Sequence, residues 1–115
     1  MFESNARIDP LLVSVVNKLN RSGLTTVFSC QGNHEYPDPP KIAYICFAPK
    51  VQIPNRIKSA VAEYGWELDK LHITQDTNNH CYAIYSVLSD FEFDADELRN
   101  RNDIFIEGWT KILSL

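Results

Sequence analysis

Gly23-Leu24-Thr25-Thr26-Val27-Phe28-Ser29-Cys30-Gln31-Gly32-Asn33-His34 places a helix stop, a strand and a polar turn within twelve consecutive residues. Glycine just past the last helical turn takes the left-handed conformation that ends helices. Thr25 to Cys30 is β-branched and aromatic, the composition of a strand. Upstream, Asp9 is placed as an N-cap with Pro10 at the first helical position, where its missing N–H costs nothing. Leu12, Val15, Val16 and Leu19 then recur at helical spacing, so an amphipathic helix feeds this strand. Downstream, Gln31 to Lys41 holds Gly32, Pro37, Pro39 and Pro40, which exclude helix and interior strand. Ile42 to Phe47 reads as a second strand, paired with the first through that proline-stiffened loop.

The same order then repeats. Pro49 and Pro54 bracket a connection, and Ile57, Ala60, Val61 and Tyr64 mark one face of a second helix that Gly65 ends. Trp66 to Thr74 and His80 to Leu88 read as strands around the turn Gln75-Asp76-Thr77-Asn78-Asn79. Asp94 with Glu97 three residues on has the form of a capping box for a last helix, whose buried face would carry Leu98, Phe105, Trp109, Ile112 and Leu113. Gly108 and the Ile104-Phe105-Ile106 cluster weaken the middle of that helix. The expected architecture is one α+β domain over 1–115, a two-layer α-β-β-α-β-β-α fold with a mostly antiparallel four-stranded sheet and helices on one face.

The 115 residues are 44% hydrophobic and 23% charged, ordinary for a globular protein able to bury a core without disulfides or metal. No stretch approaches a membrane span, and Met1 to Arg7 carries no apolar run, so a cytoplasmic protein without a membrane partner is expected. Three cysteines, Cys30, Cys46 and Cys81, form no C-x-x-C pair, which fits a reducing compartment. The net charge of −4 is local: residues 90–107 hold seven acids against Arg99 and Arg101. Lysines and arginines are not clustered, which argues against nucleic acid as a partner.

In the turn, strand alternation puts Phe28 and Cys30 on one face, and the aromatic ring predicts that this face is the core, with Cys30 inward. Gly32 would permit the positive φ at which the chain leaves the sheet. The functional reading takes Ser29, Cys30, Gln31, Gly32, Asn33 and His34 as a polar nest at a strand end, suited to a phosphate or carboxylate. A metal site is disfavoured because His80 and Cys81, adjacent on a strand, point to opposite faces. Thiol catalysis would need Cys30 exposed beside His34, His72 or His80. No Walker loop, dinucleotide fingerprint, H-E-x-x-H or G-x-S-x-G is present, and no catalytic residue, metal ligand or cofactor is assigned.

The order Leu19-Asn20…Gly23…Thr26…Ser29-Cys30…Gly32…His34, followed by a proline-bearing loop and Ala43-Tyr44-Ile45-Cys46-Phe47, resembles a group of small phage and prophage proteins. In those the His follows the Gly directly; here Asn33 intervenes. The stretch is more distantly similar to the S-S-C-S-G element of the wybutosine-synthesis methyltransferase family, whose other motifs the chain lacks. The resemblance covers about a third of the chain and implies a phage or prophage origin with a host component or nucleotide-derived ligand as partner; no activity is carried over.

Ser89-Asp90-Phe91-Glu92-Phe93-Asp94 supplies a second hypothesis. If extended, it puts Asp90, Glu92 and Asp94 on one face about 6.6 Å apart, with Phe91 and Phe93 on the other. With Asp96, that row could imitate a nucleic-acid backbone in a basic groove of a host defence protein. The same acids also suit a solvated helix N-terminus. The expected function is thus a non-catalytic accessory protein, serving as a counter-defence factor, that holds a nucleotide-like or other anionic ligand at the Ser29–Tyr36 turn. The alternatives are a protein inhibitor acting through acidic 90–107 and a small Cys/His enzyme. Homo-oligomerisation is left open.

Overall fold

A 3-10 turn, Pro10–Leu12, runs into α1, Val13–Arg21. Then follow β1, Thr26–Cys30, β2, Tyr44–Phe47, α2, Asn55–Tyr64, β3, Glu67–His72, β4, His80–Tyr85, and α3, Ala95–Leu113. The computed structural model describes residues 10–33, 39–72, 80–90, 92 and 94–114. Asp9, His34, Tyr36, Pro37, the 75–79 turn, Phe91 and Phe93 lie outside these residues.

The element order is the α-β-β-α-β-β-α read from the sequence, and the strands form one antiparallel sheet in the order β1-β2-β4-β3. Gly23 at φ +86° and Gly65 at φ +74° release the chain from α1 and α2, as their placement required. The Asp94 capping box is formed in both directions. The Glu97 N–H donates to Asp94 Oδ1 at 2.8 Å and the Asp94 N–H to Glu97 Oε1 at 3.4 Å.

The helices cover one face of the sheet. Val15, Val16 and Leu19 from α1, Ile57 and Val61 from α2, and Phe105, Trp109 and Leu113 from α3 pack with Ile45, Phe47 and Ile84 of the strands. Each such side chain contributes about 1.5–3 kcal/mol by leaving water. Trp66 anchors this layer, stacked on Tyr64 at 4.8 Å and on Trp109 at 5.6 Å, with Phe105 edge-on at 4.8 Å. Gly108 does not interrupt α3: a Cβ there would come within 2.7 Å of the Trp66 ring, so its absence seats the indole against the helix.

One expectation is overturned. Phe28 is 67% exposed and Cys30 only half-buried, because they occupy the face opposite the helices. Their parity was right and the face was wrong. Ser29 pairs with Ile45, and Ile45 lies in the helix-covered core, so Ser29 is the residue that turns inward. β1 is also an edge strand with an irregularity between Thr26 and Phe28, where an aromatic side chain has neighbours on one side only.

Candidate functional site

The polar turn after β1 is held to α3 by a buried amide. Asn102 is 0% exposed and makes four hydrogen bonds. Its Oδ1 accepts from the Ala43 N–H at 3.0 Å and the Ser86 hydroxyl at 2.8 Å, while its Nδ2 donates to Lys41 O at 2.8 Å and Asn33 Oδ1 at 3.0 Å. Asn33 Nδ2 in turn donates to Arg99 O at 3.1 Å and Asp103 Oδ1 at 3.0 Å. Gln31 Oε1 accepts from the Leu11 N–H at 3.2 Å, and its Nε2 donates to Asn33 O at 3.1 Å. Gly32, buried at φ +83°, has no room for a side chain: a Cβ would overlap the Asn102 amide and the Lys41 carbonyl oxygen. Of the residues expected as a ligand nest, Asn33 therefore ties the chain after β1 to α3, Gln31 ties it to the 3-10 turn, and Gly32 packs against Asn102. Beside them Arg101 Nη2 donates to Tyr64 O and caps the end of α2.

Of the expected acidic row, Asp90, Glu92, Asp94 and Asp96 are described, while Phe91 and Phe93 are not. Asp90 sits in a turn, so the stretch is not extended there, and it is exposed, as are Glu92 and Asp96. Asp94 is spent on the capping box and Asp103 on Asn33.

The sequence reading missed the uncovered face of the sheet. The strand registers fix its rows: Cys30, Tyr44, Tyr85 and Glu67 lie side by side, then Phe28, Cys46, Ala83 and Asp69, then Cys81 and Leu71. None of these belongs to the helix-packed core cluster. The Tyr44 and Tyr85 rings lie 6.1 Å apart at 45°. All three cysteines share this face as thiols, with Cys46 Sγ and Cys81 Sγ 4.0 Å apart. Burial, then the neighbouring Cys81, pushes the Cys46 thiol up from 9.0 to about 11, so it is protonated and unreactive at neutral pH. Among the described residues no group of three or more His, Cys, Asp or Glu could hold a metal ion, and no helix is long and apolar enough to cross a membrane.

At one end of this face a cavity of about 380 Å³ opens. Ile42, Val87 and Leu88 form its apolar wall; Glu67, Asp69, Tyr85 and Ser89 form the polar one. Glu67 Oε1 accepts from the Ser89 N–H at 3.1 Å, which holds that carboxylate in place. Burial, then the Asp69 carboxylate, raises the Tyr85 phenol above its ordinary value, so its O–H stays a donor. Ile42 and Leu88 are 37% and 43% exposed. They face solvent beside acidic groups, and Phe28, across the sheet on β1, is a further exposed apolar side chain of the same face.

The face was obscured because its alternation of Phe28, Cys30, Tyr44, Cys46, Cys81 and Tyr85 with Ser29, Ile45 and Ile84 leaves both sides of the sheet apolar. Only the placement of the helices decides between them. No family model, curated protein or solved structure matches the chain.

Proposed function

We propose that this is a non-catalytic binding protein whose working surface is the uncovered face of the sheet, and that its partner is a protein with a basic surface. The observation that carries the reading is the cavity-bearing end of that face. There Ile42 and Leu88, with Phe28 farther along, offer exposed apolar area beside Glu67 and Asp69. Exposed aromatic and aliphatic groups grouped together mark interaction surfaces. Acidic groups at the margin favour a basic partner by charge complementarity and speed its encounter. Asp90 and Glu92, one and three residues beyond the cavity residue Ser89, extend the same sign of charge. This retains the inhibitor reading of acidic 90–107 but moves its centre to the sheet. The motif likeness to phage proteins makes a nucleic-acid-handling host protein the partner to seek, since such proteins present basic grooves.

An anionic ligand at the Ser29–Tyr36 turn is the weaker reading, since it would compete with Asn102, Arg99 and Leu11 for the side chains of Gln31 and Asn33. The test is quantitative affinity capture from host lysate with the wild-type chain, Phe28→Asp, Asp69→Lys and, as a control on α2, Lys58→Glu. A basic protein captured by the wild type and the control, and depleted at least tenfold with both face variants, is the expected result. Capture insensitive to both face variants contradicts the proposal. So does a doubled mass in light scattering that Phe28→Asp abolishes, which would make the face a self-association surface.

A further inference from the structure

Resting on that reading, we infer that the cavity between Ile42, Leu88, Tyr85, Glu67 and Asp69 receives one arginine side chain of the partner protein. Glu67 and Asp69 are two residues apart on β3, so their Cα atoms lie about 6.6–6.8 Å apart and their side chains leave the same side of the sheet, where both line the cavity. A guanidinium carries five N–H donors in a planar fork and can address two separated acceptors. An ammonium is a compact point charge that satisfies one site well.

The rest of the lining suits the rest of arginine. Its three-methylene stem would lie along Ile42, Val87 and Leu88, removing apolar area from water while the head stays with the acids. Tyr85, on the strand next to Glu67, offers an aromatic surface at which a delocalised cation is attracted. The Ser89 N–H bond fixes Glu67 before the ligand arrives, so less side-chain freedom is lost on binding. The cavity of about 380 Å³ has room for one long side chain, and its two carboxylates favour a cation and repel a phosphate-bearing ligand.

The experiment is an amide NMR titration of the full chain with a short Gly/Ser peptide bearing a single arginine. The same peptide with citrulline serves as the uncharged isostere, the same peptide with lysine as the point-charge comparison, and N-acetyl-arginine amide as the free small molecule. The expected result is saturable shifts at Tyr85, Val87 and Ser89 with the arginine peptide, binding at least fivefold weaker with lysine and no saturation with citrulline. Glu67→Gln with Asp69→Asn, at partly or fully exposed positions, keeps a native spectrum and weakens arginine binding at least tenfold.

Equal binding of citrulline, shifts confined to other parts of the molecule, or no saturation overturns the inference. Tighter binding of N-acetyl-arginine amide than of the peptide also overturns it, because the site would then serve a free guanidino compound. The two proposals fail separately. If arginine does not bind while Phe28→Asp still abolishes partner capture, the arginine socket is wrong and the binding face stands. If Phe28→Asp and Asp69→Lys leave capture untouched, the binding face is wrong and a partner's arginine goes with it.

Discussion

The two faces of the sheet use the same strands for opposite ends. On the covered face the core is tightly packed: Trp66 lies against Gly108, and the Asn102 amide makes four hydrogen bonds with no exposed surface. On the uncovered face, Ile42 and Leu88 meet water beside two acids, Phe28 meets it on the opposite edge strand, and the Cys46 and Cys81 thiols share a hydrogen bond 4.0 Å long with no disulfide. The difference separates residues that secure the fold from residues that are costly to leave exposed and are therefore candidates for function. The polar turn, conspicuous in the sequence, belongs to the first group.

That contrast is broken most directly at Gly32. Gly32→Ala combines strain at positive φ with a clash on the Asn102 amide, and should cost about 3 kcal/mol or more in urea denaturation. A change below about 1 kcal/mol would mean that the turn is not clamped. Asn102→Ala strands the Ala43 N–H and the Ser86 hydroxyl and should cost about 2–4 kcal/mol, read the same way. Gly108→Ala overpacks the Trp66 ring and should cost about 1–3 kcal/mol, with an altered near-ultraviolet circular dichroism signal from the stacked indoles.

On the other face, Phe28→Ser should shift stability by no more than about 0.5 kcal/mol while abolishing partner capture. A large loss of stability there would return Phe28 to the core. The smallest effect is alkaline. The fold favours the protonated Cys46 thiol, so its contribution is whole below pH 9.0 and is lost as pH rises toward about 11. Tyr85, raised in the same direction, adds to that loss. The stability difference between the wild type and Cys46→Ala should be a constant packing offset below pH 9.0 and change only in that window; a difference that varies with pH around neutrality would contradict the assignment.

Element order was legible because its signals are local: Gly23 and Gly65 end helices, Asp94 and Glu97 begin one, and apolar spacing marks the faces of all three. Sidedness was not local. Phe28 is as apolar as Phe47, and only the helices distinguish them, covering Phe47 and leaving Phe28 in water. Asn102 left a trace that periodicity could have caught. It stands four residues after Leu98 and three before Phe105, on the buried stripe of α3, where an uncharged amide must find partners. The cavity left no such trace, since Ile42, Glu67, Asp69 and Leu88 meet only once β2, β3 and β4 are assembled.

Cysteine footprinting of the captured complex tests the central claim most directly. Cys30 is a native reporter on the uncovered face, beside Tyr44 and two residues from Phe28. If that face is the binding surface, iodoacetamide modification of Cys30 should slow at least tenfold when the partner is bound and recover when it is released. An unchanged rate in a complex shown to be intact would contradict the account and place the binding surface elsewhere.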